Sequence, residues 1–478
     1  MKTSPFLSQS PQWGLQPAVP WTAILGFCLL SALFIMAGAG KILNLAFPVG
    51  SLAVGVILYF RAPLLYIGFT WWIWFLTPLV RRLSDYRSSF TDPSPMLLAP
   101  LLVTAIATVT LVKHLPKSKP KDTLPFLICS VTVFYGLAIG LIQNSPTATI
   151  QAFLNWFTPI AFGFHLFINW RDYPLYRQNF LRTFLWGVLV MGVYGIWQYL
   201  VAPEWDRFWL TQTQLLTFGI PEPLGIRVWS TMNSPQPFAG VMMAGLLLLF
   251  SSSDQLGFAA SGVGYLAFLL SMARSAWVSW FVAFIIFIPS LKAHLQMRLI
   301  ISIILLVLLV IPLATMEPFS TTISSRVASL SDAHDDSYQT RLGGYQAFIF
   351  LALFEFVGKG FGNQVDFGMG QGDSGIFAMF LSLGCIATIL YFSQLFLLFS
   401  NLFQGKEAGF DSFASASRAI TVGCFAQISF NVVTASALGM VLWGFLGMSM
   451  AANKYYWHQR TARIGNREYS ISQVGEDQ

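Results

Sequence analysis

Charge is scarce along this chain: Asp, Glu, Lys and Arg together supply 10% of its residues, against roughly 25% in an ordinary soluble domain. With 55% hydrophobic residues and a mean hydropathy of +0.63, there is too little polar side chain to cover a water-facing surface. That excludes a soluble enzyme or binding module and identifies an integral membrane protein. Cysteine is scarce too. Cys28, Cys129, Cys385 and Cys424 all fall in apolar runs without CxxC spacing, so they read as packing residues and carry no disulfide framework or zinc ribbon. There is no GxxxxGK[ST] loop, no HExxH and no GxSxG, so nothing points to ATP, to a metal or to a serine hydrolase. No small-residue cleavage site follows the first apolar run, about 22–39, which therefore reads as a retained helix. Nor does one half of the sequence resemble the other, as the repeats of many transporters do.

What is present is length of apolar run. A bilayer core takes about 20 helical residues. On that ruler the sequence offers fourteen candidate spans, near 22–39, 42–60, 62–80, 96–112, 124–142, 148–168, 180–200, 236–252, 256–272, 275–290, 299–315, 374–400, 418–433 and 436–452. The expected fold is an all-α polytopic transmembrane bundle of about 12–14 spans, with a long, partly helical outer loop. Three parts are expected: a cytoplasmic N-terminal tail over 1–21, the transmembrane domain over 22–453, and a cytoplasmic C-terminal tail over 454–478. The second and third spans meet at Arg61-Ala62-Pro63, and the last two are short enough to be partly re-entrant.

Placing both termini in the cytoplasm puts seventeen basic residues inside, among them Arg61, the Lys113 to Lys121 loop, Arg171, Arg177, Arg182, Lys292, Arg298, Lys406, Arg418 and the tail from Lys454. Ten remain outside, namely Lys41, Arg81, Arg82, Arg87, Arg207, Arg227, Arg274, Arg326, Arg341 and Lys359. This orientation requires the apolar stretch 256–290, broken only by Arg274, to be two spans. The basic pI of 9.2 then reflects membrane topology and implies no nucleic acid. Eight of the ten outer basic residues are arginine, whose guanidinium forks suit phosphate oxygens.

Two outer segments are long enough to hold chemistry. The first, about 201–235, carries Arg227, Trp229 and Pro235. The second, about 316–373, carries Arg326, the acidic patch Asp332 to Asp336 around His334, Arg341, the turn Gly358-Lys359-Gly360-Phe361-Gly362 and Asp373. The stretch 345–357 is too short to span and contains Glu355, which predicts a helix at the interface or over a cavity.

Four pieces in order carry a resemblance: the R-V-x-S-T-x-x-x-P-x-x-F-A run over 227–239, the arginine in Ser271-Met272-Ala273-Arg274-Ser275-Ala276, the large outer loop with Ser325-Arg326 and Arg341, and the G-x-G-x-G turn at Gly358 to Gly362. Over roughly 130–450 the chain resembles the O-antigen ligase and O-antigen polymerase superfamily of bacterial envelope glycan assembly. The resemblance implies an inner-membrane glycosyltransferase without metal or other cofactor. It would move an oligosaccharide from an undecaprenyl-pyrophosphate-linked donor to a glycan or lipid acceptor on the outer face, alongside other polysaccharide-assembly membrane proteins. Arg227 and Arg274 match the arginines assigned to the leaving pyrophosphate. Many ligases place a histidine just before the span that follows the large loop, where this chain has Asp373. That departure weakens the ligase reading and leaves polymerase open.

Each residue also has a plainer reading. Arg227, Arg326 and Arg341 can be solvated loop charges, Arg274 a structural partner in a pair, and Asp373 the N-cap of the next helix. Arg81 and Arg82 are candidate phosphate contacts or, with Asp85 and Arg87, a surface ion-pair cluster. Trp205, Trp209 and Trp229 are candidate sugar platforms or interfacial belt residues. His165 reads as core. The rival function is a transporter of a small anion such as bicarbonate.

Overall fold

The computed structural model describes residues 18–114, 120–251, 255–290, 355–363, 374–404 and 407–476, with isolated positions between 296 and 304. Among them the regular structure is helical, and one antiparallel bridge pairs Gly219 with Ile226. The helices are α1 Ala18–Met36, α2 Gly40–Arg61, α3 Pro63–Arg87, α4 Ala99–Ala105, α5 Thr108–His114, α6 Pro120–Gln143, α7 Pro146–Ile168, α8 Tyr173–Val201 and α9 Glu204–Thr213. They continue as α10 Pro235–Leu249, α11 Gln255–Leu270, α12 Arg274–Phe287, α13 Gly375–Gln404, α14 Ser412–Ala426 and α15 Ser436–Glu476. Proline opens α3, α6, α7 and α10, where its missing N–H costs no helical bond.

The chain is an all-α polytopic bundle and a multi-pass membrane protein. Eight described helical segments are long and apolar enough to cross a bilayer. Their outer faces carry large apolar side chains in the open, such as Leu25, Leu29 and Leu33 on α1 and Trp186, Val190, Val193 and Trp197 on α8. Only a lipid solvent accepts such a surface. Every span expected from the sequence has a helix on it except that near 299–315, of which only residues 300 and 304 are described. The 96–112 span is split into α4 and α5, α14 stops at Ala426, and the last helix runs on through the expected tail.

The centre of the bundle is α15 against α7. The apolar window of α15 is 89% buried, whereas that of α1 is 11% buried and lies at the lipid-facing edge. The two central helices cross at glycines: a Cβ on Gly163 would stand 2.5 Å from the Trp443 carbonyl oxygen, and one on Gly447 would stand 2.3 Å from that of Gly163. Small residues at such a crossing let backbones touch where lipid provides no hydrophobic drive. Around it, Trp71 is fully buried among Phe162, Phe180, Phe184 and Phe445. His165 is core as expected, hydrogen-bonded to the Thr110 hydroxyl at 2.7 Å.

The stretch 256–290 is two helices. Ser271 to Ala273 break it, with Met272 at φ 52°. The Tyr265 and Trp280 rings then meet at 5.7 Å, and Trp277 Nε1 reaches the Phe268 carbonyl at 3.4 Å, contacts that only a chain folding back on itself makes. One end of the bundle gathers Arg81, Arg82, Arg207, Arg227 and Arg274. The other gathers Arg61, Arg177, Arg418 and Lys454, with Asp411 accepting from Tyr173, Arg177 and Tyr456.

The G-x-G-x-G turn patches a broken helix. α13 leaves helical geometry at Gly384 (φ 74°, ψ 176°). There the Leu381 carbonyl accepts from Lys359 N at 2.7 Å, and Cys385 N donates to the Glu355 carbonyl at 3.1 Å. The segment from residue 355 is therefore irregular, bent at Phe356 and Val357, where the sequence suggested the end of a helix, and its backbone serves groups that the break would leave unpaired in lipid. Phe361 N then donates to the Gly136 carbonyl at 3.0 Å, and Asn144 Nδ2 to the carbonyls of Lys359 and Phe361 at 2.7 and 3.1 Å.

Gly360 (φ 72°) has no room for a Cβ, which would sit 2.1 Å from Gly140 N. Gly360→Ala should therefore cost about 1–3 kcal/mol through overpacking and about 1–2 kcal/mol through left-handed strain. Gly262→Ala, with open space around its Cβ, should be silent. Detergent-extracted yield and melting temperature check the pair, and equal behaviour would contradict this packing.

Candidate functional site

The segment after α8 is pinned by a buried ion pair. Asp206, in the first turn of α9, lies 2.8 Å from Arg82 Nε at the end of α3, the two side chains being 0% and 1% exposed. Tyr194 Oη and Gln198 Nε2 donate to the other carboxylate oxygen at 2.9 and 2.8 Å. Burial pushes the Asp206 carboxyl up from its ordinary value, while Arg82, Gln198 and Tyr194 pull it back down. Arg82 also donates through Nη1 to the Met232 carbonyl at 2.8 Å and through Nη2 to that of Ser230. Gln198 Oε1 accepts from Trp229 N and Ser230 N at 3.1 and 2.8 Å. The loop 226–232 is thus wrapped around two polar side chains that α3 and α8 supply.

Arg81 and Arg82 do not form a surface cluster. Arg81 is buried, 3.3 Å from both Asp85 and Asp92, and Arg82 is the brace just described. Trp229 is enclosed as well, between Trp209 at 5.8 Å, Phe218 at 5.5 Å and the Arg82 guanidinium at 5.8 Å. Trp205 donates its Nε1 to Tyr194 Oη at 2.7 Å. Neither Trp209 nor Trp229 presents a face to the outside.

Arg227 and Arg274 are brought to one turn. Arg227 N donates to the Phe218 carbonyl at 2.9 Å and Val228 N to that of Leu270 at 3.1 Å, which lays the loop against the end of α11. The Arg227 guanidinium then reaches the Thr217 carbonyl at 2.8 Å and those of Ser271 and Met272 at 3.4 Å each. A cation at the carbonyl end of a helix is favoured by the helix dipole. Arg274 is the first residue of α12, two positions beyond the carbonyl that Arg227 holds, and is half-buried.

From Arg274 a file of polar side chains runs into the bundle. Ser275 Oγ donates to Gln236 Oε1 at 3.1 Å, and Asn431 Nδ2 donates to Ser275 Oγ at 3.0 Å and to Gln427 Oε1 at 3.0 Å. Gln427 Nε2 continues to Ser279 Oγ at 3.4 Å, and Ser279 donates to the Gly423 carbonyl. Asn431, Gln427 and Ser279 are buried between α10, α12 and α14. The sequence reading passed over these amides, although Gln427 and Asn431 stand four apart in an apolar run, and such groups inside a membrane domain are costly unless paired or used.

The start of α13 closes the same end, with Gly375 N donating to the Ile428 carbonyl at 2.8 Å. Ser374 Oγ accepts from Phe377 N at 3.4 Å in the first turn of α13. Asp373, Arg326 and Arg341 lie outside the described residues.

No protein-family model matches the chain, and no curated protein matches it. Its functional reading stands on the residues.

Proposed function

We propose that this chain is a membrane glycosyltransferase that moves or polymerises undecaprenyl-pyrophosphate-linked oligosaccharide at the outer face of the bacterial plasma membrane, both termini being cytoplasmic. One observation carries the reading: Arg227 and Arg274, far apart in sequence, meet at the break between α11 and α12, at the mouth of a buried file of amides and hydroxyls. As a glycosidic bond to a lipid pyrophosphate breaks, negative charge grows on the leaving phosphate, and a preplaced arginine stabilises it without a metal. Arg274 is the anchor, and Arg227 fixes the turn that presents it. Polar side chains such as Asn431 and Gln236 suit sugar hydroxyls. The acceptor hydroxyl gives its proton to a carboxylate, and Asp373 is the candidate.

Deleting the gene and separating lipopolysaccharide and secreted polysaccharide on gels tests this. Loss of long chains with single-unit capping retained marks a polymerase, and accumulated lipid-linked polymer marks a ligase. Unchanged envelope glycans contradict both. Anion transport is the second reading, favoured by the α13 break at Gly384, because transporters build sites at discontinuous helices. A deletion strain with intact glycans and reduced uptake of labelled bicarbonate would support it.

A further inference from the structure

A second feature of the Arg227 end lies outside the turn described above. The end of α3, the outer face of α9 and the turn 220–225 line a shallow cleft, widely open to the outside, of about 480 Å³, with Tyr86, Glu204, Arg207, Phe208, Thr211 and Glu222 among its walls. That volume falls within the roughly 300–1,000 Å³ of small-ligand pockets. Its walls are fixed. Asp206, Trp209 and Leu210 bury one face of α9, and this turns Glu204, Arg207 and Thr211 outward. The facing turn is held by Ile220 N on the Gly225 carbonyl at 3.0 Å and Leu224 N on that of Tyr199 at 2.7 Å. Tyr86 and Phe208 meet edge to face at 5.9 Å, and Tyr86 Oη donates to the Glu204 carboxylate.

The chemistry of this lining selects its ligand. One guanidinium stands against two carboxylates, so the cleft repels phosphate, unlike the turn at Arg274. Carboxylates, a guanidinium and a hydroxyl together accept from and donate to vicinal hydroxyl groups, and aromatic rings offer apolar faces to the C–H side of a pyranose. The turn 220–225 leads directly into Arg227, and Arg227 itself bonds the Thr217 carbonyl between α9 and that turn.

We infer that this cleft is a binding subsite for neutral sugar residues, holding the glycan whose phosphate-linked or acceptor end lies at Arg274. The inference rests on the glycosyl-transfer reading for its purpose, but not for its measurement. The full chain in lipid nanodiscs is titrated with neutral oligosaccharides released by mild acid from the lipid-linked pool of the cells that express it, and retention is read by native mass spectrometry. The wild type is expected to bind. Phe208→Ala and Arg207→Ala, at accessible positions, should each weaken binding at least tenfold, and Arg274→Lys should bind like the wild type. No retention by the wild type, undiminished binding by both cleft variants, or displacement by inorganic phosphate would overturn the subsite. Cleft-dependent binding without transfer would remove the transferase reading and keep the subsite. Transfer with normal binding by the cleft variants would do the reverse.

Discussion

Asp206→Ala should destabilise the folded chain by about 3–5 kcal/mol, because it strands the Arg82 guanidinium in a site only 1% exposed. Surface charge changes elsewhere, such as Arg87→Ala, should fall within about 0.5 kcal/mol. The expectation follows from the partners, since the same carboxylate also receives Tyr194 and Gln198, and Gln198 in turn holds the backbone of Trp229 and Ser230. Adding Arg82→Met to Asp206→Leu should recover part of the loss by removing both charges together. Recovery should stay incomplete, because the Ser230 and Met232 carbonyls would keep no donor from Arg82, at about 1–3 kcal/mol for each buried group left unsatisfied. Thermal unfolding in a fixed detergent measures the series. If the single variant melted with the wild type, the loop 201–235 would not depend on this brace.

The second large effect is on activity. Arg274→Lys and Arg227→Lys should each lower glycan transfer on the order of 10²-fold while the protein inserts at its normal level, as loss of a preplaced transition-state donor does. Lysine keeps the charge but has no planar fork. At Arg227 it also cannot span the Thr217, Ser271 and Met272 carbonyls together, so that variant should loosen the α11 to α12 turn as well. A lower melting temperature for Arg227→Lys than for Arg274→Lys separates the positioning role from the anchoring one. Full transfer by both variants would leave the pyrophosphate role without support.

The spans were legible because a membrane helix needs only length and apolarity, and both are local properties of sequence. The hairpin at Arg274 was legible for a related reason, since one charge amid a long apolar stretch marks a place where the chain leaves the lipid. Burial of Arg81, Arg82 and Trp229 was not legible. Arg82 and Trp229 take partners remote in sequence, Asp206 and Gln198, whereas Arg81 pairs with its near neighbours Asp85 and Asp92 and is covered only once the loop after α3 folds back over it. The break in α13 was hidden likewise: Gly384 sits in an unbroken apolar run, and the irregular segment from Glu355 to Asn363 makes the interruption tolerable. Gln427 and Asn431 were in plain view as amides four residues apart, but counting charges alone gave them no weight.

The account rests on the turn where Arg227 meets the start of α12. Its most direct test is a transfer assay in proteoliposomes, with purified wild type and Arg274→Lys supplied with the lipid-linked oligosaccharide pool and the envelope lipid extract of the cells that carry the chain. The wild type should consume the donor and release undecaprenyl pyrophosphate as longer or newly attached glycan appears, and Arg274→Lys should leave the donor intact. Equal turnover by the two proteins, or an untouched donor with the wild type, would contradict the account.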